Sequence, residues 1–213
     1  MIQYKKRYIS ELCLEYSFGD TIDKEINEKV LTLYRYLLQS DLIDSLHILD
    51  IVPSYTSLAI HFEFNSPLFD SSKQLDSLLD NLSNANTLVN STLHEVYVNY
   101  EGEDIEYVSK VLDISVEDII TLHANKEYTI AMIGFRPYFP YLLGLDKKLI
   151  LPRRDDPRML VEKGSVAIAA GQTGIYSEDS PGGWHIIGTT TFDKFSELKS
   201  GDRIIFKEVK NAN

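Results

Sequence analysis

Gly164-Ser165-Val166-Ala167-Ile168-Ala169-Ala170-Gly171-Gln172-Thr173-Gly174-Ile175-Tyr176 joins an apolar run, 166–170, to the strong turn signal Gly171-Gln172-Thr173-Gly174. The pattern reads as a buried strand ending in a glycine turn. Ser180-Pro181-Gly182-Gly183 is a second turn signal, followed by the single tryptophan, Trp184. Around these turns, strands are expected at 128–133, 165–170, 184–188 and 203–207. Many short strands joined by glycine turns predict a closed barrel. Two short helices should precede it, at 104–112 and from a Ser115-Val116-Glu117-Asp118 capping start to near His123.

Moving toward the N-terminus, the character of the chain changes. Residues 1–93 hold one glycine, Gly19, of the eleven in the chain. A glycine-poor half followed by a glycine-rich half predicts two domains, placed at 1–92 and 93–213. In the first half Leu12, Leu14 and Tyr16 alternate as in a half-buried strand. Ile22, Ile26, Val30, Leu33 and Leu37 then mark one face of a helix, with Asp20-Thr21 as expected caps. Strands follow at 46–52 and 57–64, then a helix near 73–82 with Leu75, Leu78, Leu79 and Leu82 on one side, then a strand at 93–100. That β-α-β-β-α-β order predicts a ferredoxin-like sheet with helices on one face, so the fold class is α+β.

Composition excludes several function classes. The 213 residues are 44% hydrophobic and 25% charged, ordinary globular values that argue against disorder. The net charge of −11 disfavours nonspecific nucleic-acid or anionic-membrane binding. No apolar run approaches the roughly 20 residues of a membrane span. The start, Met1 to Arg7, has no apolar stretch behind its positive charges, so a cytoplasmic protein is expected. Cys13 stands alone, and the five histidines show no metal-ligand spacing, so no metal site is expected.

Four segments can carry chemistry, and each has a structural competitor. The stretch Gly134-Phe135-Arg136-Pro137-Tyr138-Phe139-Pro140-Tyr141-Leu142 is rigid and aromatic. It suits a pocket lining, or a plug at one barrel end. In Pro152-Arg153-Arg154-Asp155-Asp156-Pro157-Arg158 the forked guanidinium groups suit a carboxylate or phosphate, unless the aspartates neutralise them. Gly171 to Gly174 lets backbone N–H groups face an oxyanion, and Gln172 can both donate and accept; a plain hairpin turn is the competing reading. Trp184 serves as a pocket wall or as core packing. His123, at a helix end, could act as acid or base near neutral pH, although a lone histidine is more often structural.

These segments, in this order, resemble the KipI/PxpB family, also described as allophanate hydrolase subunit 1 or the carboxyltransferase C/D-subdomain family. Phe18-Gly19-Asp20, 52–58 and Leu122-His123 fit as well, so the likeness covers nearly the whole chain. The resemblance implies an N-terminal α/β domain followed by a cyclophilin-like β-barrel. It also implies one subunit of an ATP-dependent 5-oxoprolinase that opens 5-oxoproline to glutamate, with ATP and Mg bound here or by partners. Those partners would be a PxpC/KipA-like and a PxpA-like subunit. Two alternatives remain open: a KipI-type regulator binding a sensor histidine kinase, and a carboxyltransferase-type subunit acting on urea or allophanate. On the enzyme reading, Arg153 and Arg154 bind the anion, while Gln172 and Thr173 orient the amide. Tyr176 and Trp184 wall the pocket, Phe135, Pro137, Tyr138 and Phe139 form its loop, and His123 carries a proton. Tyr138 replaces a family glycine; if that position needs φ > 0, the loop is strained by ~1 kcal/mol or more.

Overall fold

The alternation at 12–16 is one arm of a hairpin. In the computed structural model, which describes residues 3–64, 66–82 and 91–209, Lys5–Ser10 (β1) pairs antiparallel with Cys13–Ser17 (β2). Leu14 and Tyr16 point inward from β2. The helical stripe becomes Lys24–Leu38 (α1), but its cap is Asp23 and not Asp20-Thr21. The Asp23 carboxylate accepts the N–H groups of Glu25 and Ile26, satisfying two orphan donors of the first turn. Ile22 therefore lies outside the helix and is half exposed.

A short turn, Leu42–Ser45 (α2), leads to Ile48–Pro53 (β3), Ser57–Phe62 (β4) and Leu68–Leu82 (α3). Phe64, expected on the strand face, is past the end of β4 and exposed. The side chain of Leu82 lies outside the described residues. The sheet order is β1-β2-β4-β3, antiparallel throughout. Val30, Leu33 and Leu37 of α1 and Leu75 and Leu79 of α3 pack on Leu14, Tyr16, Leu58, Ile60 and Phe62 in one core. Both helices thus cover the same face.

The ferredoxin-like order would put 93–100 beside β2. That place belongs to β1, and Leu93–Val98 (β5) joins the second sheet instead. Lys5, Lys6 and Arg7 make β1 hard to read, because edge strands often carry charge where interior strands do not. Val96 and Val98, by contrast, are fully buried in the other core. The chain divides into two units, Met1–Asn90 and Ser91–Asn213.

The second unit continues with Ile105–Leu112 (α4), Val116–His123 (α5), Glu127–Ile133 (β6) and Pro140–Leu143 (β7). Then come Arg158–Val161 (β8), Ser165–Ala169 (β9), Gln172–Ile175 (β10), Ser180–Gly182 (β11), His185–Thr189 (β12) and Arg203–Glu208 (β13). Seven strands form a sheet in the order β12-β9-β10-β7-β6-β13-β5, and only β13 and β5 are parallel. Asn99, just past β5, exchanges backbone hydrogen bonds with Thr189 of β12 at 2.9 Å, so the sheet nearly closes on itself. Ile130, Leu142, Ile168, Ile187 and Phe206 fill the interior, joined by Ile105, Val108 and Ile119 from the two helices. A separate ribbon pairs β8 with β11.

The glycine turn differs in register from the expectation. Ala170 (φ 49°) and Gly171 (φ 79°) alone make the turn, with Gln172 directly opposite Ala169. Two central residues with positive φ match the twist of paired strands. Gln172 to Gly174 are consequently strand, all three paired with β9 and Thr173 and Gly174 also with β7. Among the described residues no helix is long and apolar enough to cross a membrane.

Candidate functional site

Side chains alternate along β10, so its residues divide between two environments. Thr173 and Ile175 face the barrel interior. Gln172 and Gly174 stand opposite Ala169 and Ala167, which belong to a second apolar cluster on the outer face of the sheet. Phe139 is its centre, with ring centroids 5.2 Å from Tyr176, 4.9 Å from Tyr141 and 5.8 Å from Trp184, all edge to face. Gly174 makes this possible: a Cβ there would press on the Phe139 ring and the Pro140 carbonyl. Glycine serves aromatic packing here; the strand pairing of 172–174 replaces the expected oxyanion cradle.

A cavity of about 200 Å³ opens against this cluster, lined by Phe135, Phe139, Tyr141, Arg153, Tyr176 and Trp184 together with Pro157 and 181–183. The aromatic loop, the arginine segment and the Gly-Gly-Trp turn therefore converge. The Arg154 backbone N–H donates to the Gly183 carbonyl at 2.8 Å, tying the last two together. The Trp184 backbone N–H donates to the Tyr176 phenol oxygen, and a Cβ on Gly182 would collide with that same oxygen.

Arg153 is the only charged residue among the described lining. It is exposed and has no hydrogen-bond or ion-pair partner among the described residues. Burial raises the Tyr141 and Tyr176 phenols above their usual range, and the Arg153 charge opposes the rise at both. Both phenols stay protonated at neutral pH. The cavity thus offers one unspent guanidinium and two hydroxyl-bearing rings on apolar walls.

Arg154 is otherwise engaged. Its Nη1 donates to Asp104 Oδ1 at 2.8 Å, and Arg158 donates to both oxygens of the same carboxylate at 2.7 and 2.9 Å. The Ile186 N–H adds a fourth bond at 2.7 Å. Burial pushes Asp104 upward, but the Arg158 hydrogen bonds, the Ile186 N–H and the two arginine charges outweigh it and hold the carboxyl below its usual range. Anion binding by Arg154 gives way to this internal knot. Nothing local in the sequence marks Asp104, since its partners lie about fifty residues away.

His123 and Thr173 are bonded to each other inside the barrel, away from the cavity. Thr173 Oγ1 donates to Ala167 O at 3.0 Å, so it must accept from His123 Nε2 at 2.9 Å. Nε2 then carries the proton, and Nδ1 accepts from the Tyr100 hydroxyl at 2.7 Å. The imidazole has no solvent exposure and stacks on Phe206. Burial, with a smaller push from Lys126, lowers its pKa to about 3. The ring is neutral and structurally committed, which replaces the proton-carrier assignment by a positioning one. Gln172 is 7% exposed and its amide has no partner among the described residues, but it does not line the cavity.

In the aromatic loop, Phe139 N–H donates to Arg136 O at 3.1 Å across Pro137-Tyr138. Tyr138 takes φ 62°, so the backbone keeps the conformation that favours glycine and accepts its strain. The Pro137 carbonyl accepts from Ser177 Oγ at 2.6 Å. Tyr138 is half exposed and does not line the cavity, leaving the space open. Among the described residues no group of three His, Cys, Asp or Glu side chains could hold a metal ion.

The family model described as carboxyltransferase domain, subdomain C and D, matches residues 4–204. The chain belongs to this family. It is 29% identical to the B subunit of 5-oxoprolinase from Bacillus subtilis (strain 168), over all of this chain and 95% of that protein. Among solved structures, TTHA0988 is 32% identical with a TM-score of 0.80, covering 94% of this chain and 40% of that one. The present chain thus spans about two fifths of that longer one. The Kluyveromyces lactis urea carboxylase shares the fold at 16% identity and a TM-score of 0.75, over 97% of this chain and 22% of that one. The carboxyltransferase-domain fold therefore recurs both as a near-complete chain and as a portion of larger chains.

Proposed function

We propose that this chain is a B-type subunit of an ATP-dependent 5-oxoprolinase and that its aromatic cavity receives 5-oxoproline. One observation carries the reading: a single unspent guanidinium, Arg153, stands in an otherwise uncharged aromatic cavity of about 200 Å³. 5-Oxoproline is a small flat lactam with one carboxylate. Arg153 pairs that carboxylate through its fork, and the protonated phenol of Tyr176 supplies a further donor to the substrate. Phe139 and Trp184 wall the lactam ring and exclude water. The name of the Bacillus subtilis relative, over nearly its full length, supports the same assignment.

A lactam carbonyl resists hydrolysis, and on this reading ATP bound by a partner would supply the activation. The described residues that line this cavity do not fit Mg-ATP by themselves. Gly171 to Gly174 are committed to a hairpin and a paired strand, and Arg153 is the cavity's one cation. We assign ATP to a partner subunit of PxpC/KipA or PxpA type. The contribution of this chain is to bind and orient the lactam, a positioning role. Asp104, through Arg154 and Arg158, fixes the loop that presents Arg153, and His123 fixes Thr173 beneath the sheet.

The test is turnover by the reconstituted subunits. ATP hydrolysis should require 5-oxoproline, and Arg153→Met should lower kcat/KM about 10- to 100-fold, the worth of a charge-assisted pair. Wild-type rates in that variant would remove the site assignment, and absence of 5-oxoproline-dependent turnover would remove the reaction.

A further inference from the structure

A second cavity, of about 320 Å³, lies on the other side of the arginine segment, between residues 151–156, His185 of β12, and Tyr107 and Val111 of α4. Arg153 lines both cavities. The polar groups of the second are quite different. Asp155 and Asp156 present carboxylates that pair with no cation among the described residues, because Arg154 is turned to Asp104. His185 Nε2 faces the Pro152 carbonyl at 3.0 Å and must donate to it, which in the neutral ring leaves Nδ1 as a bare acceptor. His185 is 3% exposed, and Nδ1 has no partner among the described residues. The Tyr107 ring stacks over this imidazole at 5.4 Å and is itself half exposed, so reaching Nδ1 requires that ring to turn.

An unsatisfied buried acceptor and two unpaired carboxylates call for an N–H-rich cation. The aromatic face of Tyr107 suits a cation as well. Arg153 calls for a carboxylate. We propose that this second cavity binds a zwitterionic α-amino acid, its ammonium held by Asp155 and Asp156 and its carboxylate by Arg153.

The inference rests on the reading of the first cavity as a lactam site and deepens it. Ring opening adds water across the lactam C–N bond: the carbonyl carbon gains oxygen and becomes a carboxylate, and the ring nitrogen becomes an ammonium. The first cavity has no carboxylate to receive that new positive charge; the second has two. Arg153 lines both cavities, so the same guanidinium serves the carboxylate of the closed substrate on one side and of the open product on the other. The second cavity is then a product site, selective for the charge that the reaction creates.

Calorimetric titration of the full chain with L-glutamate and, separately, with 5-oxoproline tests this. L-glutamate should bind, N-acetylglutamate, which lacks the ammonium, should not, and Asp155→Asn with Asp156→Asn should weaken L-glutamate at least tenfold while leaving 5-oxoproline unchanged. Both aspartates are exposed, so the double variant keeps the fold. Equal L-glutamate binding by the double variant, equal binding of N-acetylglutamate, or no L-glutamate binding by the wild type would overturn the proposal. Aspartate-dependent L-glutamate binding without any 5-oxoproline binding would uphold the second cavity and sink the lactam reading of the first.

Discussion

Acid should destabilise the barrel unit through His123 at higher pH than it does through Asp104. The imidazole is sealed between Tyr100, Thr173 and Phe206, and its folded pKa lies at about 3 against about 6.5 in an unfolded chain. Between those values the unfolded state binds a proton that the folded state refuses, so stability falls as pH falls. At about pH 5 the unfolded imidazole is protonated roughly thirty to one, which costs the fold about 2 kcal/mol relative to neutral pH. The charged and titratable groups around the ring are Tyr100, Tyr128 and Lys126, and burial raises both phenols well above that window. Trp184, the sole tryptophan, belongs to the barrel unit, so its emission reports urea unfolding of that unit. The wild type should lose about 2 kcal/mol between about pH 7 and about pH 5, and His123→Gln, which keeps a donor and an acceptor but cannot titrate, should lose much less. The comparison is one of slopes, so it survives any baseline loss of ring packing in the variant. Identical pH slopes in the two proteins would refute the buried neutral imidazole.

The Asp104 knot makes a separate prediction. Asp104→Asn removes the one carboxylate paired with Arg154 and leaves Arg158 only its exposed pairing with Glu103, and should destabilise the barrel unit by about 3 kcal/mol at neutral pH, read by the same emission. Because its carboxyl titrates below the usual range, the Asp104 contribution should persist down to about pH 4 and vanish only beneath it. Tyr138→Gly should relieve the positive φ and raise stability by up to about 1 kcal/mol without changing ligand affinity, since Tyr138 is outside the cavity; a loss of stability would mean the turn is not strained.

Much of this architecture is legible in sequence, for identifiable reasons. Helical stripes such as Val30-Leu33-Leu37 and alternations such as Leu58-Ile60-Phe62 follow from burial of one face, so they can be read from spacing alone. The aromatic segment around Phe139 and the sole tryptophan stand out by composition, and they do meet at one cavity. What stays hidden depends on partners distant in sequence. β10 looks like a turn because of Gly171 and Gly174, yet Gly174 is in the strand to make room for Phe139. Asp104 gains meaning only from Arg154 and Arg158, and Tyr100 only from His123. The charged strand β1 reads as surface because edge strands are built that way. Nor does the pairing of two arginines in sequence hint that Arg154 is spent and Arg153 is free.

Most depends on Arg153 holding a carboxylate in the aromatic cavity. The direct measurement is a 5-oxoproline titration of the full chain followed by Trp184 emission, repeated with Arg153→Met. A saturable change in the wild type that the variant loses is the predicted result. Superimposable curves for the two proteins, or a wild-type signal that never responds, would contradict it.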